Sequence, residues 1–151
     1  MGNQREYIES GMFSQYLYED HKDFEPVTIN GIRAKVIHYI PDGEIDHTGL
    51  PMFSGTSSMY LRAVLSGDVM QAKVYVDHRH AIDLDWSHEH RNKEGDKVKF
   101  PIGVVHVQEY TFNNDGELVR KSNEARLMTD AEIEKYGPII LHFNPNTKFR
   151  P

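Results

Sequence analysis

The 151-residue chain contains no cysteine. Disulfides and thiolate metal sites are therefore excluded, and any bound metal must be held by nitrogen or oxygen. It also has no apolar run near the roughly 20 residues that span a bilayer. The opening, MGNQREYIES, has no apolar signal-peptide core. There is no internal repeat or low-complexity linker, and no basic excess. A net charge of −6 with neutral histidines argues against a non-specific nucleic-acid coat, though not against a small pocket that works on nucleic acid. The expectation is one domain over 1–151, cytoplasmic, with no membrane partner.

What the chain does have is an ordinary globular balance, 38% hydrophobic and 26% charged. It also has nine histidines, whose protonation would offset the net charge and make behaviour near pH 6 differ from that near pH 8.

Patterning predicts the elements. Ile8, Met12 and Tyr16 recur at four-residue spacing, with Phe13 and Leu17 beside them, which predicts an amphipathic helix over 4–20. Residues 26–40 predict a hairpin turned at Asn30-Gly31, with Ile32, Ala34, Val36, His38 and Ile40 on one face. His38 then reads as a packed core histidine. Residues 41–58 are rich in Pro, Gly, Ser and Asp and predict a long loop, which carries Asp46 and His47 and could meet a partner. Residues 57–66 fit a short helix or a strand. Residues 69–77 alternate as a half-buried strand, with Met70, Ala72, Val74 and Val76 inward. His78-Arg79-His80 is expected to turn the chain into a second strand, 81–88. There Ile82, Leu84, Trp86 and His88 face one way, and Asp83 and Asp85 the other. A charged solvated loop over 89–99 leads to a strand with His106, Gln108 and Tyr110 on one face. A turn at 113–116 and a short strand at 118–120 follow. Thr129 and Glu132 form a capping box for a helix over 130–136, stopped by Gly137-Pro138 and followed by a last strand, 139–143. The fold class expected is α+β, mostly antiparallel hairpins with a helix near each terminus.

Residues 77–110 hold His78, His80, His88, His90 and His106, the only tryptophan, and the pair Asp83 and Asp85. Each histidine alone is explained by a turn or a surface; their crowding among strands points to chemistry. One reading is histidine acid–base catalysis of ribonucleolytic cleavage, with His88 and His106 as the pair and no metal required. Asp85 would orient His88 if the strand kinks at its end, and Arg79, Lys97 or Lys99 would supply positive charge. The second reading is a metal-dependent hydrolase. His-x-His occurs at 78/80 and at 88/90, and Asp83 and Asp85 could add oxygen ligands or orient a histidine. Gly95, Pro101, Gly103 and His106 match the spacing of the second cupin metal motif, but the gap back to either His-x-His pair is too short for the cupin strands. A site built on His88 and His106 requires their two strands to be neighbours.

A longer pattern runs through this region. Gly49-Leu50-Pro51 with Ser54 is followed by Gln71, Lys73 and Tyr75. Asp83, Asp85, Trp86 and His88 come next, then Pro101, His106, Gln108 and Tyr110. Over residues 49–110 this resembles small domains of phage and prophage head-morphogenesis modules and the C-termini of bacterial polymorphic toxins. The resemblance implies a nuclease in a bacterial host cell, with RNA as substrate and a phage or immunity-type protein as a further partner. His88, His106, Asp85, Asp83 and Arg79 are the catalytic candidates. Gln108, Tyr110, Trp86 and Lys99 are the substrate-binding candidates. No cofactor is expected on the acid–base reading; a divalent metal belongs to the alternative. A non-enzymatic phage accessory protein, binding its partner through the 41–58 loop, is the reading from another class.

Overall fold

The computed structural model describes residues 5–10, 13–39, 58–64, 66–92, 94–122 and 124–151, with side chains from residue 20 onward except those of 38 and 39. The predicted loop 41–58, with Asp46, His47 and the Gly49-to-Ser54 part of the pattern, lies almost wholly outside these residues. So does the His38 side chain.

The N-terminal segment is not the expected helix. It forms two antiparallel strands, β1 (Arg5–Ser10) and β2 (Phe13–Asp20). A spacing of four, as between Phe13 and Leu17 within β2, puts residues on one face in a strand as well as in a helix, and the tyrosines and phenylalanine of the segment favour the strand.

β3 (Val27–Ile29) and β4 (Ile32–Tyr39) form the expected hairpin. Asn30 and Gly31 both take positive φ (54° and 74°), as a tight two-residue turn requires. One edge of β4 pairs β3 and then β2. Its other edge pairs β5 (Met59–Ala63) in parallel, so the part of 57–66 from 59 to 63 is strand. β6 (Val69–Val76), β7 (Arg79–Asp85) and β10 (His106–Phe112) continue the sheet antiparallel. Beyond β10 lie β12 (Arg126–Leu127) along its first residues and β11 (Leu118–Arg120) along its last. The segment expected as a solvated loop contains a separate two-stranded ribbon, β8 (His90–Arg91) with β9 (Val98–Phe100).

A single helix among the described residues, α1 (Asp130–Phe143), covers one face. Tyr136, Ile139, Ile140 and Phe143 join Ala34, Val36, Met59, Leu61, Val74, Leu84, Trp86 and Val107 in one core. Thr129 and Glu132 make the capping box in both directions. However, Gly137 and Pro138 do not stop the helix, and 139–143 is helical, not strand. Pro138 has no N–H, so the Glu134 carbonyl loses its partner one turn back. The Asn30 side-chain amide donates to the Glu134 carbonyl (3.2 Å) and to that of Lys135 (3.3 Å), which supplies the missing bond from the hairpin turn. Arg126 ties the same helix to the sheet by bonding both Glu132 and Glu109. No helix among the described residues is long and apolar enough to cross a membrane.

β6 is buried on both faces, not one. Lys73 is 1% exposed and Tyr75 6%. The face turned away from α1 is therefore a covered polar surface, and the candidate residues lie on it.

Candidate functional site

Register builds this surface. Gln71 stands opposite Asp85, and Asp85 opposite His106. Lys73 stands opposite Asp83, and Asp83 opposite Gln108. Paired residues project to the same face, so the period-two polar residues of β6, β7 and β10 become rows that cross three strands. β7 and β10 are neighbours, which is the condition that a site on His88 and His106 imposes.

Two departures from strict alternation shape the rows. Val74 pairs Ile82 but Tyr75 pairs His80, so Ala81 is an extra residue. This bulge carries His80 from the apolar face to the polar one. The turn accordingly lies at Asp77-His78, both with positive φ, and His80 belongs to a buried strand position, not to the turn. Second, β7 ends at Asp85. Asp85 Oδ1 accepts from the Ser87 backbone N–H (2.8 Å) and from the Ser87 hydroxyl (2.6 Å), an Asx-type turn. The chain swings back, and His88 Nε2 comes to 3.7 Å from Asp85 Oδ2. Alternation alone would have put His88 in the core beside Trp86.

Asp85, His88 and His106 each place one ligand atom within 4.8 Å of the others. The protons around them are accounted for. His88 Nδ1 lies 2.8 Å from the Glu89 carbonyl oxygen, which can only accept, so Nδ1 donates there and Nε2 is the nitrogen turned to Asp85. Asp85 Oδ2 takes one bond, from the Gln71 amide at 3.1 Å, and Gln71 is itself held by Arg62. His106 is 7% exposed, and its Nδ1 is buried without a hydrogen-bond partner. Its ring lies between those of His88 (5.1 Å) and His90 (5.2 Å) and stacks on Phe100 (5.9 Å, 12°). Burial pushes the His106 pKa down to about 4. Asp85 opposes that shift, while His88 and His90 add to it. His90, stacked on Phe100 at 5.7 Å, is also lowered, by burial and then by Lys99, His88 and Arg120.

The other candidates are distributed differently. Asp83 accepts from His80 Nε2 at 2.7 Å, both residues being buried, and His80 stacks on Tyr110 at 4.5 Å. Tyr110 has its hydroxyl pKa raised, first by burial and then by the nearby Asp83. Asp83 and Tyr110 thus belong to a second cluster one row along the sheet. Gln108 is committed to the Ser122 carbonyl (2.5 Å). Lys99 donates to the Ala125 carbonyl (3.2 Å) and lies over Phe100, beside the histidines. Arg79 is not brought to the cluster. It starts β7, at the opposite end from Asp85, and lies over Phe112. Trp86 does not meet substrate: it is 0% exposed in the core against α1. His78 sits exposed in the turn.

Ser87 is the site residue that sequence reasoning passed over, and the hydroxyl two places after Asp85 was a usable signal for it. His90, expected as the metal-ligand partner of His88, instead lies beside the His106 ring and is not one of the three converging residues. A cleft of about 640 Å³ opens beside Phe100, lined also by Lys99, Val107, Glu109 and Arg126, and it does not include the cluster.

Comparison with models of known protein families, with curated proteins and with solved structures gives no match to this chain.

Proposed function

We propose that the protein is a metal-dependent hydrolase, with Asp85, His88 and His106 holding one divalent ion. The observation that carries this reading is the convergence of three ligand atoms. Asp85 Oδ2 and His88 Nε2 face each other at 3.7 Å, longer than a hydrogen bond, while His88 Nδ1 is held by the Glu89 carbonyl. A third nitrogen lies within 4.8 Å. A carboxylate and two imidazole nitrogens gathered in this way offer electron pairs to one cation. Two ligands bonded to one ion at about 2.1 Å stand no more than roughly 4.2 Å apart, so the Asp85–His88 separation already fits and His106 needs only a small closure. Two histidines and a carboxylate, with a coordination position left open, are a set used by catalytic zinc.

The surroundings support the same reading. Two of the three ligands are oriented by a hydrogen bond with another group, His88 by the Glu89 carbonyl and Asp85 by Ser87 and Gln71, while His106 is held by ring stacking on Phe100. Buried neutral His106 suits a ligand better than the acid of an acid–base pair, because a group with a pKa of about 4 holds no proton to donate at neutral pH. A divalent ion held by these residues would supply Lewis acidity, acidifying a water and polarising the centre under attack. In the hydrolysis, the water oxygen bonds the electrophilic centre while the bond to the leaving oxygen breaks. One water proton passes to a base, and the leaving oxygen ends protonated.

The test is hydrolysis of chromogenic esters by protein that has been treated with a chelator and then reloaded with Zn²⁺. Activity should vanish on chelation, return with zinc, and be absent in His88→Ala and His106→Ala. Hydrolysis that is indifferent to chelation overturns the reading, and so does a copurifying redox-active iron with no hydrolysis.

A further inference from the structure

Resting on that metal-site reading, we infer that Arg62 is a positioning residue for Asp85. It sets the direction of a hydrogen-bond chain that aims one carboxylate oxygen at the ion. The residues stand in one row across neighbouring strands. Arg62 on β5 is in register with Gln71 on β6, Gln71 with Asp85 on β7, and Asp85 with His106 on β10. Paired residues project to one face, so Arg62 shares the face of the ligands although it lies two strands from Asp85.

Distances link them in order. Arg62 Nη1 donates to Gln71 Oε1 at 3.4 Å. Gln71 Nε2 donates to Asp85 Oδ2 at 3.1 Å and to the Ser87 hydroxyl oxygen at 3.4 Å. Ser87 in turn donates its hydroxyl and its backbone N–H to Asp85 Oδ1, at 2.6 and 2.8 Å. Every bond runs one way, from the guanidinium to the carboxylate. Oδ1 is thereby occupied by two donors. Oδ2 takes one, and it is the oxygen that stands 3.7 Å from His88 Nε2. The chain thus makes Asp85 a one-oxygen ligand, with a lone pair on Oδ2 left for the ion.

The direction depends on Arg62. The oxygen and nitrogen ends of the Gln71 amide are nearly equal in size, and their partners decide which end faces which way. A guanidinium has donors and no acceptor, so it fixes Oε1 on its own side and Nε2 on the side of Asp85 and Ser87. A reversed amide sets its oxygen against the carboxylate and draws the Ser87 hydroxyl away from Oδ1. Gln71 is 9% exposed, so water is a poor substitute for a lost partner.

Zinc should be titrated into metal-free wild type, Arg62→Met, Arg62→Lys, Gln71→Ala and the Arg62→Met/Gln71→Ala double variant, with denaturant unfolding measured on the same metal-free samples. Methionine keeps an apolar stem and loses the donors; lysine, which also only donates, keeps the direction. Arg62→Gln carries the comparison if Arg62→Met does not fold. The expected loss of zinc affinity in Arg62→Met is about 3- to 10-fold, smaller than the roughly 10- to 100-fold of a direct partner of a ligand, with Arg62→Lys close to wild type. In the Gln71→Ala background Arg62→Met should change the affinity by less than about twofold, because Arg62 then has nothing to act through. Side-chain amide NMR gives a second readout: the two Gln71 Nε2 protons, each bonded in wild type, should exchange with solvent faster in Arg62→Met. Additive losses in the double variant, an affinity that falls only in step with stability, or Gln71 amide protons unmoved by Arg62→Met overturn the inference and leave the metal site standing. Wild type that takes up no zinc overturns the metal reading, and this inference with it.

Discussion

Asp83 and Asp85 are two residues apart on one strand and face the same way, yet they end in opposite situations. Asp83 meets His80 at 2.7 Å and is buried with it. Asp85 meets His88 across a 3.7 Å gap, at the strand end, where His88 is more than half exposed. The chemistry of the pair is the same; the geometry is not. At His80 the Nε2 meets the carboxylate at hydrogen-bond length, although Nδ1 is buried without a partner. At His88 the Nδ1 is spent on the Glu89 carbonyl, and Nε2 stands beyond hydrogen-bond length from the carboxylate. A pair closed by a hydrogen bond holds a fold together; an open one beside a third nitrogen is a place for a ligand.

The sharpest way to break this comparison is to delete the closed pair. His80→Ala removes the hydrogen-bond partner of a buried carboxylate and should cost about 3–5 kcal/mol in denaturant unfolding. Zinc affinity should stay within about twofold of wild type if the protein remains folded. A large drop in zinc affinity with little loss of stability would mean the roles of the two pairs are exchanged.

Acid should reach the open site first. Burial lowers the His106 pKa to about 4, below the ordinary value of 6.5 that it regains on unfolding. The unfolded chain therefore binds the proton first as pH falls. The contribution of neutral His106 is complete above about pH 6.5 and is lost progressively toward pH 4. At about 1.4 kcal/mol per unit, that amounts to at most about 3 kcal/mol in the metal-free protein. Denaturant midpoints measured from pH 7 to pH 4 should fall, and fall less in His106→Gln. A flat profile would show that His106 is not held neutral by its burial.

A smaller effect is expected at the groups that orient Asp85. Ser87→Ala and Gln71→Ala should each weaken zinc binding by about 10–100-fold without abolishing it. Isothermal titration checks this, and unchanged affinity would detach the turn at Ser87 from the site. Smallest is Asn30→Ala, which strands the Glu134 carbonyl in α1 and should cost about 1 kcal/mol of stability with no change in zinc affinity.

Much of the sheet was legible in the sequence. Asn30-Gly31 marked its turn because few residues tolerate φ values of 54° and 74° in succession. The alternations in β6, β7 and β10 marked their strands, and they placed Asp83, Asp85 and His106 on what proved to be one face. What misled was ambiguity of period and loss of register. A spacing of four fits strand and helix alike, so β1 and β2 read as a helix. Gly137-Pro138 reads as a helix stop because the sequence does not show that Asn30, more than a hundred residues away, bonds the freed carbonyl. Trp86 and His88 share a face only in a flat strand. The Asp85–Ser87 turn sends Trp86 into the core and His88 over Asp85, and the Ala81 bulge likewise moves His80. Pairing partners are fixed by tertiary geometry, so the convergence of Asp85, His88 and His106 could be stated from sequence only as a condition on neighbouring strands.

The central claim is that these three residues hold one divalent ion. Zinc titration of metal-free wild type, beside His106→Ala and Asp85→Asn, tests it most directly. The account predicts one ion per chain in wild type and affinity lowered by more than about 100-fold in each variant, with the fold intact by circular dichroism. Wild type that binds no zinc, or binding that survives either substitution unchanged, would contradict it.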